Sequence, residues 1–355
     1  MYKILVINPG STSTKVAVYE DNKPVLLKTL RHTVEEMAPF EKIVDQFDFR
    51  KKAILDELKS ADISIHEING VVGRGGMVRP IESGVYEVNE KMKQDLRVGV
   101  MGQHASNLGG LIADHIAKEI EGCRAFIADP VVVDELQDVA RITGHPLMPR
   151  ESKFHALNQK AVARKFAHSI ERPYEELNLI VAHLGGGISI GAHRKGKIVD
   201  VNNALDGFGP LAPERAGTVP AGRLIEVCFS GKYSMEEVKS MITGEGGLVA
   251  HLGTNQAHIA AEWAKNGNEK ARLILYAMAY QIAKGIGGAL MVLKGEIDGV
   301  ILTGGMAQNK LVVGFIREHI NFLGKITIYP GEDEMESLAT NVLEVLQGER
   351  ECKIY

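Results

Sequence analysis

An internal repeat constrains the fold of this 355-residue chain more than any other feature of its sequence. One copy begins at Ile4 and reads ILVINPGSTSTKVAVYEDNKPVLL; the other begins at Leu179, 175 residues later, and reads LIVAHLGGGISIGAHRKGKIVDV. Each copy reads as a strand, a tight loop of small residues, a strand, a charged turn and a third strand. Helical patterns follow at 104–120, 153–170 and 269–293. Because length, loop position and turn position all repeat, the sequence predicts two related α/β domains; chance similarity is the alternative, and for a single such match it would be about as good an explanation.

Composition excludes several classes of protein. The chain is 45% hydrophobic and 24% charged with a net charge of −4, which is typical of a soluble globular protein and, without a basic block, argues against a nucleic-acid partner. Its three cysteines, Cys123, Cys228 and Cys352, lack metal-binding spacing, so we expect reduced thiols rather than disulfides or structural zinc. The N-terminus enters a strand pattern without a signal-peptide pattern, which predicts a cytoplasmic protein.

The longest apolar stretch is 271–293, and it contains Arg272, Gln281 and Lys284. These polar residues favour a buried helix over a membrane span, so we expect no membrane partner. The same helix could instead serve a homodimer interface, and burial within its own domain is an equal alternative.

The loop in each repeat suggests phosphate binding. Backbone N–H groups bind phosphate, and glycine lets the backbone approach closely; the alternative is a pair of polar turns. Ser11 and Ser13 add hydroxyl donors to the first loop and Lys15 can add charge. The first loop does not match the pattern G-x-x-x-x-G-K-[ST], so this is not a P-loop enzyme. The second loop supplies Gly185, Gly186 and Gly187.

A third glycine tract, DGVILTGGMAQN at 298–309, has a buried strand that runs into Gly304 and Gly305, ahead of Asn309. Such a tract can be an ordinary strand-to-helix turn. Together with the two loops it predicts an adenosine site, since no side chain blocks the turn.

These tracts, with GVVGRGGMVRPI, GQHASN, ADPVVVDEL, ESKFHALN, GFGPLAPERAGTVPAG and YPGEDEMESLA, resemble the acetate kinase family of the acetate and sugar kinase/heat-shock chaperone/actin superfamily. They span nearly the whole chain. The resemblance implies an α/β fold of duplicated ribonuclease H-like domains, the actin-like ATPase fold, with an active-site cleft between the domains. We expect 1–150 plus 335–355 to form the first domain, on the substrate side, and 151–334 to form the second, nucleotide-binding domain.

The resemblance implies reversible transfer of the γ-phosphoryl group of ATP to a carboxylate, which gives ADP and an acyl phosphate, with Mg²⁺ as cofactor. Two of the tracts look closer to kinases of butyrate or isobutyrate than to acetate kinases; acetate, propionate or, less favoured, a sugar or polyol are the alternatives. A carboxylic acid of pKa roughly 4–5 is already ionised at pH 7, so the reaction needs no general base but must overcome repulsion between anions. A sugar kinase would need a carboxylate base. A nucleotide-switched chaperone or filament protein would need an added binding domain or a polymerising surface.

Four catalytic residues are carried over from the family. Arg74 and Arg215 match its two arginines, whose planar groups suit carboxylate and phosphoryl contacts. His155 matches a hydrogen-bond donor to the phosphoryl group, although a histidine before a helix is often a cap or a packed polar residue. Asp129 matches an aspartate near the metal, although Asp-Pro also begins ordinary turns.

Binding residues follow in the same way. Asn8 matches a contact of the first phosphate loop, and His183 opens the second. The metal set implied is Asn8, Asp129 and one late glutamate, and we favour Glu334. Several positions stay open. Glu332 and Glu336 are alternatives for the metal, and Arg79 and His104 are lesser site candidates. Near the ribose the candidates are Asn255, Gln256 and His258, and the walls of an acyl pocket could come from 71–73 and 77–81.

Overall fold

The structure of the protein is a computed structural model that describes residues 1–331 and 333–355. Two mixed sheets account for the strands. In chain order the strands are β1 (Lys3–Pro9), β2 (Ser13–Glu20), β3 (Lys23–Arg31), β4 (Gly70–Arg74), β5 (Val85–Glu87), β6 (Arg124–Ala128), β7 (Asn178–Leu184), β8 (Ile188–Arg194), β9 (Lys197–Val201), β10 (Gly299–Gly304), β11 (Ile326–Pro330) and β12 (Cys352–Lys353).

Helices follow the strand-rich start of each repeat, as the sequence predicts. The helices at 104–120, 153–170 and 269–293 are confirmed, each within a few residues. In chain order the helices are α1 (Val34–Met37), α2 (Phe47–Ser60), α3 (Glu90–Val98), α4 (Asn107–Lys118), α5 (Asp138–Arg141), α6 (Ala156–Ser169), α7 (Ala221–Cys228), α8 (Met235–Ile242), α9 (Gly247–Leu252), α10 (Ala257–Lys265), α11 (Glu269–Val292), α12 (Lys310–Ile320) and α13 (Glu334–Leu346).

The first compact unit comprises Met1–Asp134 and Asp333–Tyr355. Its seven-stranded sheet has the order β12-β5-β6-β4-β1-β2-β3, with β1, β4 and β6 parallel and β1, β2 and β3 antiparallel. Leu5 and Ile7 of β1 are wholly buried in a core that includes residues of α2 and α4, and α13 also packs against β1. A parallel strand covered on both faces needs a continuous apolar run, which explains the sequence of β1.

The second unit comprises Glu135–Glu332, and its five-stranded sheet has the order β11-β10-β7-β8-β9. Strands β7, β8 and β9 form an antiparallel hairpin pair, as β1, β2 and β3 do, so the predicted repeat of strand, loop, strand, turn and strand is confirmed. Ile180 and Ala182 of β7 pack in a core with α11, while Leu179 and Val181 pack in a second cluster with α6.

The bounds of the two units differ from the predicted ones. Residues 135–150, which we expected in the first domain, belong to the second unit. Glu135 explains this, because its carboxylate accepts hydrogen bonds from Lys160 Nζ and Ile198 N, both at 2.7 Å. At the other boundary, the first unit resumes at Asp333 rather than at residue 335.

Helix α11 is the one helix, in the part of the chain that the structure describes, that is long and apolar enough to cross a membrane. Length and composition alone are weak evidence, because the core helix of a soluble protein passes the same test. Eight residues of α11, including Leu275, Met278 and Ile286, are buried against the core of the second unit. The predicted burial within its own domain is therefore confirmed for one face of this helix.

Candidate active site

Three predicted site residues lie at one edge of the first sheet. Asn8 is near the end of β1, Arg74 ends β4, and Asp129 directly follows β6. The three strands are parallel and in register, with Ile7 opposite Gly73 and Arg74 opposite Ala128. The carboxyl edge of parallel strands is the usual place for ligand sites in such sheets, and the topology gathers these three residues at that edge.

Glu334, the first residue of α13, joins two of them. Asn8 Nδ2 donates a hydrogen bond to Glu334 Oε2 at 2.8 Å, and Arg74 Nη1 forms an ion pair with Glu334 Oε1. Of the three glutamates left open by the sequence, Glu336 is exposed on the same helix and Glu332 lies outside the described residues. The structure thus brings Glu334, the favoured one, to Asn8 and Arg74.

Asp129 is held in a backbone conformation that is rare for an aspartate. Its φ of 38° lies in the left-handed region, and the residue is 2% exposed. Its Oδ1 accepts hydrogen bonds from Ser83 Oγ at 2.6 Å and Gly84 N at 2.8 Å. Such a conformation costs of order 1–3 kcal/mol and persists where surrounding bonds fix it, often at functional sites. No local pattern indicates that Ser83, 46 positions away, holds this carboxylate.

The predicted first phosphate loop is the turn between β1 and β2. Gly10 N donates to Ser13 O at 2.7 Å, which closes the turn, and the side chain of Ser11 is exposed. Lys15 lies directly opposite Asn8 in the antiparallel ladder, so both side chains project from the same face of the sheet. Ser11, Lys15 and Asn8 therefore share one corner of the first unit.

Two lesser candidates have local partners. Arg79 pairs with Asp95 at 2.9 Å, and the side chains of Arg79 and Asp95 are 57% and 10% exposed, so the carboxylate is largely covered. His104 Nδ1 accepts a hydrogen bond from Ser106 N at 3.1 Å. Burial and the nearby charge of Arg74 hold the pKa of His104 below its ordinary value. This pairing agrees with the structural role left open for His104.

The second unit holds a stacked pair of histidines. The rings of His155 and His183 lie 3.8 Å apart with an interplanar angle of 11°. His183 Nδ1 lies 2.7 Å from Asn158 Oδ1, and His155 Nδ1 lies 3.0 Å from Ser189 Oγ. An amide oxygen only accepts, so His183 Nδ1 is the donor in its pair. Asn158 was not predicted, although its place three residues after His155, on one face of α6, was the available signal.

A buried chain of polar groups continues behind Ser189. Gln159 Nε2 donates to Ser189 O at 3.1 Å and to Ser189 Oγ at 2.8 Å, and since a carbonyl oxygen only accepts, the amide orientation is fixed. Gln159 Oε1 therefore faces His193 Nε2 at 3.0 Å, and that nitrogen carries the proton. Burial first, with the charges of Lys160 and Arg164, holds the pKa of His193 well below its ordinary value. The ring is neutral, so its Nδ1 accepts from Tyr174 OH at 2.7 Å.

Arg215 lies directly against the second phosphate loop. A Cβ built on Gly187 would lie 1.8 Å from Arg215 Nη1, so only glycine fits beside this guanidinium. The guanidinium also donates to Ala204 O, and burial holds the pKa of Arg215 below its ordinary value. Within the loop, Gly185 N donates to Gly187 O at 3.1 Å. The structure thus places the predicted arginine and the predicted loop in contact.

A cavity of about 680 Å³ in the second unit brings together the second loop and the third glycine tract. Gly304, with φ 88°, passes so close to Leu184 that a Cβ would lie 2.5 Å from its carbonyl oxygen. Asn309 caps α12 by accepting from Leu311 N and Val312 N. The volume falls in the range of small-molecule sites. The predicted residues that line this cavity are Gly185, Gly186, Asn255, Gln256, His258, Gly305 and Asn309.

The possible ligands for Mg²⁺ in this structure are side-chain oxygen atoms. Among residues 1–331 and 333–355, no group of three or more His, Cys, Asp or Glu is placed to hold a metal ion. Mg²⁺ does not require such a group, because it is often bound through one or two carboxylates, water and the phosphates of a substrate. Glu334, Asn8 and Asp129 offer oxygen donors at the phosphate-loop edge, so the residues fit that mode, and their role stays a prediction.

Two mixed sheets with repeated hairpins and a glycine-lined cavity define a protein of the duplicated actin-like ATPase class, and solved structures agree. The chain has a TM-score of 0.79 to acetate kinase of Porphyromonas gingivalis, at 20% identity over 98% of this chain and 100% of that one. A propionate kinase of Francisella tularensis gives 0.75 at 19% identity, over 96% and 99%. At these identities the likeness confirms the predicted fold class alone.

Sequence comparison identifies the family. A model described as the Acetokinase family matches residues 145–341. Butyrate kinase 2 of Clostridium acetobutylicum is 55% identical over 100% of this chain and 99% of its own length. Butyrate kinase 1 of the same organism is 53% identical over the full length of both chains. The chain belongs to the acetokinase family, as its motifs predict.

Proposed function

We propose that this protein is a carboxylate kinase that transfers the γ-phosphoryl group of ATP reversibly to butyrate or a similar short-chain fatty acid. The observation that carries the proposal is full-length identity of 53–55% to proteins named butyrate kinase. The shared contact of Arg74 and Asn8 with Glu334 supports it. ATP is the phosphoryl donor that the family implies, and the cavity with Gly305 and Asn309 is the proposed adenosine site.

The chemistry needs cations and donors rather than a base. A carboxylate oxygen of the acid attacks the γ-phosphorus of ATP, the bond to the β,γ-bridging oxygen breaks, and ADP leaves with the electron pair; no proton moves. Arg74 orients the acid and offsets repulsion between the two anions, as a planar guanidinium suits. Arg215 and His155 donate hydrogen bonds to the oxygens of the transferring group.

Mg²⁺, when bound, would neutralise negative charge that develops on the phosphates during transfer. Asn8, Asp129 and Glu334 are the residues proposed to hold it, directly or through water. Asn8, Ser11, Ser13 and Lys15 of the first loop, and His183 with Gly185, Gly186 and Gly187 of the second, are proposed to bind phosphate. That both loops serve one phosphate chain stays a prediction, as do a homodimer or larger homo-oligomer and a cytoplasmic setting.

The test is formation of acyl phosphate from ATP, trapped with hydroxylamine as the hydroxamate. Straight and branched acids of two to five carbons form the panel, with glucose and glycerol as neutral acceptors. We expect butyrate and isobutyrate to exceed acetate, with discrimination of about 1–3 kcal/mol for each methylene, and no transfer to the sugars. ATP hydrolysis that is independent of any acid, or transfer to a sugar instead, would contradict the proposal.

A further inference from the structure

Arg50 is a buried cation that the proposed reaction does not yet use. It lies on α2, four residues after Gln46 and four before Ile54, so it belongs to the buried face of that helix. Its exposed fraction is 0%, although Lys51 and Lys52, which follow it, reach the surface. A charge is seldom placed in a core unless several bonds hold it there.

The guanidinium of Arg50 is bonded to the first phosphate loop. Nη1 donates to Ser13 O and to Thr14 Oγ1, both at 2.9 Å, and Nη2 donates to Ser11 O at 3.2 Å. Nε donates to Gln46 Oε1 at 3.0 Å. Two backbone carbonyls of the loop are thus held by one rigid, planar group.

The charge of Arg50 has no counter-ion. Within residues 1–331 and 333–355, its hydrogen-bond partners are all neutral and it forms no ion pair with a carboxylate. Lys93, another buried cation of the same unit, pairs with Asp114 at 2.8 Å. Burial lowers the pKa of Arg50, but an arginine stays protonated in proteins, so a net positive charge lies behind the loop.

These bonds decide which backbone groups of the loop stay available. The carbonyls of Ser11 and Ser13 accept from Arg50, and the carbonyl of Thr12 accepts from His32 N at 2.9 Å. In the described part of the chain, the N–H groups of Ser11 and Thr12 donate to no protein acceptor. Consecutive free N–H groups with a buried cation behind them are suited to a phosphate.

We propose that Arg50 is a positioning residue for phosphate binding: it fixes the carbonyls of Ser11 and Ser13 so that the N–H groups of this loop are presented to a polyphosphate. The inference rests on the proposed function only in taking ATP as the ligand. The uncompensated charge of Arg50 strengthens the attraction between the loop and the phosphates. This contribution to affinity should grow with the number of phosphates on the nucleotide.

The experiment compares Arg50→Met and Arg50→Lys with the full-length protein. Affinities for AMP, ADP and ATP are measured by calorimetry, and turnover is measured with ATP and butyrate. In Arg50→Met we expect ADP and ATP affinity to fall about tenfold or more, AMP affinity to stay within about twofold, and kcat/KM for ATP to fall about a hundredfold. Arg50→Lys keeps the charge but cannot bond both carbonyls as the planar guanidinium does. Its losses of affinity and of kcat/KM should therefore be intermediate.

Lys93→Met is the matched control, because it removes a buried cation from the same unit but leaves the loop untouched. It should destabilise the protein without changing the order of nucleotide affinities. If Arg50→Met does not fold, the same nucleotide affinities are compared in Arg50→Lys and in Gln46→Leu, which removes the acceptor of Arg50 Nε. Wild-type affinities in a folded Arg50→Met, or equal losses for AMP and ATP, would overturn the inference. A wild-type protein that binds ATP but phosphorylates no acid would instead contradict the proposed function.

Discussion

At the scale of single residues, the pairing of Arg74 with Glu334 matters most. The guanidinium already faces one carboxylate and is 24% exposed, so it is partly desolvated and oriented before a substrate arrives. We predict that Arg74→Ala lowers kcat about a thousandfold, since the acid loses its cation, while ATP affinity changes by no more than a few-fold. Steady-state turnover with butyrate and calorimetry with ATP measure the two effects.

Arg79→Ala is the matched control for Arg74→Ala. Arg79 is five residues away, carries the same charge and is 57% exposed, with its guanidinium bonded to Asp95. Its loss should change kcat by less than about twofold, because that bond lies outside the proposed site. Retained turnover in Arg74→Ala, or equal losses in both variants, would remove Arg74 from the site.

At the scale of elements, strand β8 and helix α6 share a hydrogen-bonded chain of Ser189, Gln159 and His193, which Tyr174, beyond the end of α6, extends. We predict that Gln159→Leu destabilises the protein by about 1–3 kcal/mol, because His193 Nε2 loses its acceptor while buried. It should also lower kcat, because Ser189, the partner of His155, loses its support. Urea unfolding and turnover with butyrate test the two effects.

Tyr174→Phe separates these two effects. It removes only the hydroxyl group that donates to His193 Nδ1, two hydrogen-bonded residues further from Ser189. We expect a comparable loss of stability and a kcat close to the wild-type value. If Gln159→Leu lowers stability but not kcat, the chain supports the fold and does not position His155.

Local patterns in the sequence predict the helices and strands but not the contacts between them. The repeat of hairpins is readable because alternation and turn residues are local signals, and β1–β3 and β7–β9 confirm it. Arg50 was missed because it precedes Lys51 and Lys52 and reads as part of a solvated run. Its partner Ser13 is 37 positions away, and only the packing of α2 on the sheet brings them together.

At the scale of the whole molecule, buried neutral histidines predict how stability depends on pH. Burial holds the pKa of His32 and His193 below the ordinary value of 6.5. As the pH falls below about 6.5, the unfolded chain binds protons that the native protein does not, so the native state loses stability, by up to about 1.4 kcal/mol per pH unit for each histidine. Urea unfolding at pH 7.5, 6.5 and 5.5 should show a small decrease over the first interval and a larger one over the second.

A pair of asparagine variants checks that cause. His32→Asn removes one titrating ring from a residue that is 8% exposed, so the pH dependence should become shallower. His66→Asn, at an exposed position, should leave the dependence as in the wild type. An equal slope in all three proteins would show that other groups set the acid stability.

The outer face of α11 gives the molecule a surface suited to a second copy of itself. Leu273, Tyr280 and Met291 are 65%, 47% and 66% exposed. They are spaced by seven and eleven residues, close to two and three helical turns, so they form one apolar stripe. A stripe on a straight helix can pack against its own copy about a two-fold axis.

We predict a homo-oligomer in sedimentation velocity. In the double variant Leu273→Glu and Met291→Glu, the measured mass should shift toward the 38.7 kDa of one chain. Phe322→Glu, at an 82% exposed residue outside the stripe, should keep the wild-type mass, and a double variant of unchanged mass would place the interface elsewhere.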